Sequence, residues 1–317
     1  MRLLFCTPPS LRPNSYLVRH RVYTTTTSTT TDLPLFSSAW LTPKPSPPVR
    51  LHLLYRAPFA PPLRPPYSSA CIPRAATGDF LHDAGATAAL IAGAYALVST
   101  FDLLTQRNLI PQSLSRKLVH ILSGLLFMAS WPIFSTSTKA RYFASLVPLV
   151  NCTRLVIHGL SLASDEGLIK SVTREGKPEE LLRGPLYYVL VLILCALVFW
   201  RESPVGVISL AMMCGGDGVA DIMGRRFGSS KLPYNQQKSW AGSISMFVFG
   251  FLISIGMLYY YSVLGYFQLD WISTAQKVAV VSLAATVVES LPTTEAVDDN
   301  ISVPLASMAA AFLSFGF

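Results

Sequence analysis

Pro204-Val205-Gly206-Val207-Ile208-Ser209-Leu210-Ala211-Met212-Met213-Cys214-Gly215-Gly216-Asp217-Gly218-Val219-Ala220-Asp221-Ile222 is long and apolar enough to cross a bilayer as a helix, yet it ends in two acids and three glycines. Charge at membrane depth is costly and by default marks a functional site. Asp217 and Asp221 are four residues apart and share one face of a helix. Five glycines between 215 and 228 let the backbone come close to a neighbour or a ligand.

The rest of the chain has the same apolar character. Of 317 residues, 51% are hydrophobic and 13% charged, with a mean hydropathy of +0.44. A soluble domain of ordinary composition is far more polar. The sequence therefore predicts an all-α, polytopic integral membrane protein with about seven transmembrane helices, at ~20 apolar residues per crossing. The apolar runs lie near 84–104, 118–135, 142–160, 185–200, 204–222, 242–266 and 276–317. The last is long enough for two passes, broken at Ser290-Leu291-Pro292, where proline ends a helix. Arg201-Glu202-Ser203-Pro204 reads as a short polar connector that turns one run back into the next.

The formal charge of +8 is not spread along the chain. Residues 1–77 hold nine Lys/Arg and one acid, Asp32, leaving 16 Lys/Arg and 16 Asp/Glu for the rest. The basicity belongs to the first segment, so nucleic acid is not an expected partner. That segment is rich in Arg, Ser, Thr and Pro, which is the pattern of an organelle transit peptide. Its hydroxyl richness favours a plastid. The expected division is a transit peptide over 1–77, disordered and processed near Ile72-Pro73-Arg74-Ala75-Ala76, then a membrane-embedded domain over 78–317. The five cysteines show neither metal-ligand nor disulfide spacing, and Cys152 and Cys195 read as small buried apolar residues.

Two polar loops stand out, 161–184 and 225–241, both carrying several Lys/Arg. Positive-inside logic puts both on the non-translocated side, and the turn at 201–204 makes them share a face. Between them the acids, glycines and cations of 214–243 supply what a metal-nucleotide site needs. Asp217 and Asp221 can hold Mg2+, which usually takes one or two carboxylates together with phosphate oxygens. Arg225, Arg226, Lys231 and Lys238 can neutralise phosphates, and Ser239-Trp240-Ala241-Gly242-Ser243 offers a helix N-terminus for an anion. Residue by residue the alternatives stay open: Asp217 can cap a helix, and Arg225 and Arg226 can be interfacial anchors. No Walker motif and no kinase glycine-rich loop occurs.

The pattern Asp217-Gly218-x-Ala220-Asp221-x-x-Gly224-Arg225-x-x-Gly228, followed by Lys231 and by Lys238-Ser239-Trp240-Ala241-Gly242-Ser243, resembles the nucleotide motif of the CTP-dependent polyprenol kinases. That family includes phytol, farnesol and dolichol kinases and is related to the CDP-diacylglycerol synthases. Arg116-Lys117-Leu118-Val119-His120-Ile121, the segment Lys170 to Tyr188, Glu289-Ser290-Leu291-Pro292 and Asp298 to Leu305 resemble further family segments, so the likeness covers residues 80–317. Within the group the chain looks most like the plant plastid farnesol kinases and the phytol kinases beside them.

The resemblance implies transfer of the γ-phosphate of CTP to the hydroxyl of farnesol, phytol or geranylgeraniol in a chloroplast membrane. The role would be isoprenoid salvage and, for phytol, tocopherol supply. It implies Asp217, Asp221 and Lys238 as catalytic residues, with Asp217 and Asp221 holding Mg2+. Gly215, Gly216, Gly218, Gly224, Arg225, Gly228, Lys231, Ser239 and Gly242 would bind the nucleotide. Expected partners are CTP, an isoprenoid alcohol and the lipid bilayer. Competing readings are a cytidylyltransferase with the same triphosphate grip and a transporter with glycine-interrupted helices. His120, Arg154, Glu289, Asp298 and Asp299 have no settled role, and the run Tyr259-Tyr260-Tyr261 reads as an interfacial aromatic belt.

Overall fold

The computed structural model describes residues 73–163, 166–173, 175–292 and 298–316, all within one compact unit. Residues 1–72, which hold nearly all of the expected transit peptide, lie outside them.

The main elements among the described residues are ten α-helices and one two-stranded hairpin, with short 3-10 and π-helical turns between some of them: α1 (Pro73–Gln106), α2 (Gln112–Ser130), α3 (Ala140–Gly159), α4 (Glu166–Val172), α5 (Gly184–Leu194), α6 (Pro204–Leu210), α7 (Gly218–Phe227), α8 (Trp240–Val263), α9 (Trp271–Ser290) and α10 (Asp299–Phe315). The strands β1 (Lys231–Leu232) and β2 (Asn235–Ser239) pair antiparallel between α7 and α8. α1 begins at Pro73, so the expected boundary at 77/78 falls inside a helix.

Five helical segments among the described residues are long and apolar enough to cross a membrane: Thr77–Gln106, Pro178–Glu202, Pro204–Phe227, Trp240–Val263 and Trp271–Ser290. The expectation of about seven counted the runs in α2 and α3 as well. Both are helices, but Arg116 and Lys117 begin the first and Arg141 and Arg154 interrupt the second. The proposed break after Ser290 is present, because α9 stops there and α10 starts afresh at Asp299.

Pro204–Phe227 is the central helix. α6 and α7 are joined by a π-helical turn, Ala211–Asp217, and every residue from Pro204 to Gly218 is buried. A helix apolar all round is one that neighbours surround; α2, α8 and α10 pack on this one. The motif's first glycines serve that packing. A Cβ on Gly215 would run into Ile253 and one on Gly216 would lie 2.9 Å from Met246 Sδ, both on α8, while one on Gly218 would strike Ile121 on α2. The close approach they permit is helix against helix.

The turn before α6 follows the sequence at its end and departs from it at its start. Ser203 caps α6 by accepting from the Val205 amide, with Pro204 as the first helical residue. Arg201 turns inward, only 2% exposed, and donates to the carbonyls of Trp131 (3.0 Å), Phe134 (2.8 Å) and Ser135. A buried guanidinium is tolerated where several acceptors replace water. Its neighbour Trp200 packs on Trp131 at 5.2 Å.

α1 lies against α2 and α3 and is pinned by Asp83. That buried carboxylate accepts from the Ser135 amide at 2.7 Å and the Ser135 hydroxyl at 2.8 Å. Of the three tyrosines expected at the interface, Tyr259 and Tyr260 are exposed, but Tyr261 is fully buried and donates to the Met128 carbonyl at 2.6 Å. Three consecutive helical positions cannot all face lipid, since each step turns the side chain by a quarter turn or more.

Candidate active site

The π-helical turn runs directly into α7, so Asp217 sits inside one continuous helix and caps nothing. Its carboxylate and that of Asp221 face the same way, toward Lys117 of α2. Lys117 Nζ lies 4.0 Å from Asp217 Oδ2 and 3.4 Å from Asp221 Oδ2. Arg225, one turn further along α7, donates through Nε to both Asp221 oxygens at 3.1 Å. The four-residue spacing read from the sequence has the consequence it should.

A second charged group lies nearby. Lys238, near the end of β2, donates to Glu289 Oε1 at 2.6 Å and to Asp299 Oδ2 at 2.8 Å. Glu289 is 4% exposed. Burial alone would lower the lysine's pKa, but the Glu289, Asp299 and Asp217 carboxylates outweigh it and hold the ammonium above its ordinary range. Glu289 Oε2 and Asp299 Oδ1 are buried and accept no hydrogen bond.

The hairpin that carries Lys238 is anchored to the end of α9. Asn235 Nδ2 donates to the carbonyls of Ser290 (3.0 Å) and Leu291 (3.1 Å), and Tyr234 donates to the Ser290 hydroxyl at 2.9 Å. α8 then starts at Ser239, whose hydroxyl accepts from the Gly242 amide at 3.2 Å and caps the helix. Asp298 caps α10 by the same device, accepting from the Asn300 amide at 2.8 Å.

Both charged groups open into one cavity of about 1200 Å³. Its polar end holds Asp217, Asp221, Arg225, Lys238, Glu289 and Asp299; Arg183 and Lys231 reach it from the two polar loops. Away from this end the walls become apolar, formed by α1, α2, α3 and α5. A greasy molecule with one polar group fits such a space, its head among the charges and its body among the helices.

No protein-family model matches the chain, and no solved structure does. Curated proteins do match. A probable chloroplastic phytol kinase 1 from Glycine max is 72% identical over 244 residues, which is 77% of this chain and 81% of that protein. The chloroplastic phytol kinase 1 of Arabidopsis thaliana is 69% identical over 242 residues, 76% of this chain and 80% of that protein. The chloroplastic farnesol kinase of the same plant is 47% identical over 210 residues, 66% and 68% of the respective chains. This chain belongs to the plant chloroplast phytol kinase and farnesol kinase family.

It is a multi-pass chloroplast membrane protein, as the resemblance implied. Among the residues singled out in the sequence, Asp217, Asp221, Gly224, Arg225, Lys231, Lys238, Ser239 and Gly242 line the cavity. Gly215, Gly216 and Gly218 face neighbouring helices instead, and Arg226 lies over the Phe227 ring outside the cavity. Gly228 closes α7. A Cβ there would collide with the Gly224 carbonyl oxygen and with Ser239. Gly228→Ala is therefore expected to cost about 1–3 kcal/mol, read as a lower unfolding midpoint in detergent without loss of insertion.

Sequence reasoning gave Lys117 no separate role and left Glu289 and Asp299 unassigned. Their partners are about 50 to 100 positions away in the chain, so no local spacing shows the contact; the one available signal was a carboxylate at the end of an apolar run, which calls for a cation. His120 lines the middle of the cavity, with Nε2 3.4 Å from the Met213 carbonyl and its ring 4.2 Å from that of Tyr188. Arg154 faces the same cavity as Asp102. Cys195 and Cys214 are buried and Cys152 partly so.

Proposed function

We propose that this chain is a prenyl-alcohol kinase that moves the γ-phosphate of CTP to the hydroxyl of an isoprenoid alcohol, with phytol as the favoured acceptor. One observation carries the reading: a single cavity joins a ring of carboxylates and cations to a long apolar space. The names and identities of the relatives support phytol, since the two phytol kinases named above exceed the farnesol kinase in identity by more than twenty percentage points. With phytol as acceptor, the product would feed tocopherol synthesis.

Phosphoryl transfer asks for little covalent help from a protein and much positioning and charge neutralisation. Asp217 and Asp221 present hard oxygen donors on one helix face into the cavity, which fits Mg2+. Among the described residues no three His, Cys, Asp or Glu side chains converge on a point, so nucleotide oxygens would complete the coordination. Bound there, Mg2+ supplies positive charge to the phosphate oxygens of the transition state. Lys117, Arg225, Lys231 and Arg183 surround the space with further positive charge, while Gly224 and Gly242 let α7 and α8 close on each other at its edge, a Cβ on either lying 3.5–3.6 Å from the other's Cα. The alcohol's hydroxyl would lie where the walls change from polar to apolar, near His120.

The test is phosphate transfer in membranes containing the full chain. It supplies γ-labelled CTP, ATP, GTP or UTP with phytol, farnesol or geranylgeraniol, with Mg2+ present or chelated. Labelled phytyl monophosphate formed with CTP and Mg2+, alongside CDP, is the expected result. Release of pyrophosphate and a CMP-linked lipid would overturn it in favour of cytidylyl transfer.

A further inference from the structure

The four helices around the apolar part of the cavity change character in the same direction. Along α1 the lining residues pass from Asp102 and Ser99 to Val98, Ala94 and Leu90; along α2, from Arg116 and Lys117 through Ser123 to Phe127. On α3 they pass from Arg154 and Asn151 to Val150 and Val147, and from Arg183, just before α5, to Val189 and Leu192 on it. The helices align for this. Ser115 at the start of α2 donates to the Phe101 carbonyl near the end of α1, and Thr87, near the middle of α1, donates to the Phe143 carbonyl near the start of α3. The polar residues thus form one level and the apolar residues another. Ten residues of α2 separate Lys117 from Phe127, a depth of about 15 Å at 1.5 Å per residue.

The walls of this limb differ in how they are held. Phe127 and Leu192 belong to the buried core, with Phe127 packed edge-on to Trp131 at 5.7 Å. By contrast Ile91, Tyr95 and Val150 line the cavity and are also exposed, so this wall of the limb reaches the outer surface of the helices. Ala94 lines the limb one turn along α1 from Ile91 and Val98 and is the smallest apolar side chain that α1 contributes to it.

Building on the kinase reading, we propose that this limb, bounded by α1, α2, α3 and α5, takes the isoprenoid chain of the acceptor, and that Ala94 and Val98 of α1 set how long a chain fits. The alcohol enters sideways from the bilayer past Ile91, Tyr95 and Val150, with its hydroxyl stopped at the polar level. Val98 stands one helical turn, about 6 Å, nearer the carboxylates than Ala94. A bulky side chain at 94 therefore shortens the limb, and one at 98 nearly closes it.

The experiment compares kcat/KM for phytol, farnesol and geraniol in the full chain, Ala94→Phe and Val98→Phe, with CTP KM as the second readout. Ala94→Phe should lower the phytol-to-geraniol ratio at least about 10-fold, the size of effect that one or two misplaced carbons produce in an apolar pocket. Val98→Phe should lower farnesol as well, and CTP KM should stay within about 3-fold in both. Equal losses for all three alcohols in inserted protein would overturn the proposal. Should the variants fail to insert, the unmodified chain decides: farnesol with a diazirine at its tail end, added without nucleotide, should crosslink to residues 90–98, 147–150 or 189–192 and be competed by phytol. Crosslinks elsewhere, or none, would overturn it. This readout is independent of phosphate transfer, so an unmodified chain that crosslinks but transfers nothing would sink the kinase reading and leave the limb assignment standing.

Discussion

Asp217→Asn is expected to lower phosphate transfer by about 100- to 1000-fold or more while leaving the protein inserted and folded. The amide keeps the shape of the carboxylate but gives up its charge and one hard oxygen donor, which are the properties a divalent cation and its nucleotide would use. The fold should tolerate the change because, among the described residues, the ion pair of Asp217 with Lys117 is a distant one, 4.0 Å, and Lys117 keeps Asp221 at 3.4 Å. Transfer rates at saturating CTP, combined with a Mg2+ titration, check this. Transfer at the rate of the unmodified chain would remove Asp217 from the metal site, and recovery by excess Mg2+ would mean that binding alone had been weakened.

Lys238→Ala is expected to do something different. Sequence alone assigns Lys238 to the nucleotide, and its loss then reads as a raised CTP requirement. The structure places it 2.6 Å from Glu289 and 2.8 Å from Asp299, with all three side chains largely buried. Removing the cation leaves two carboxylates facing each other out of water, and breaking a buried pair in this way typically costs about 3–5 kcal/mol. That is a large part of a domain's net stability. The expected result is a steep loss of folded protein, seen as reduced yield and a lower unfolding midpoint. Replacing all three at once, with Lys238→Met, Glu289→Gln and Asp299→Asn, should recover much of the stability. A stable Lys238→Ala protein with only a higher KM for CTP would return the lysine to the nucleotide.

The contrast between these residues shows what the sequence can and cannot say. Asp217, Asp221 and Arg225 lie on successive turns of one helix, so their convergence follows from spacing. The capped start of α6 at Ser203 and the break after Ser290 are also legible, because proline and capping residues act on their immediate neighbours. Lys238 meets Glu289 and Asp299 only because the β1–β2 hairpin is tied to the end of α9, and that tie depends on Asn235 reaching two distant carbonyls. The glycines were legible as places of close approach, but the sequence does not say what approaches: Gly215, Gly216 and Gly224 meet α8 or its cap, and Gly218 meets α2. Arg201 and Tyr261 show the same limit, since residues that look interfacial can be drawn inward by unpaired carbonyls.

Lys117, Arg225 and Lys238 together place three fixed cations against the four carboxylates of Asp217, Asp221, Glu289 and Asp299. The protein thus carries its own counter-ions. The charges are matched to within one unit inside the folded helices, so a charged ligand entering the cavity would exchange counter-charges within a finished scaffold.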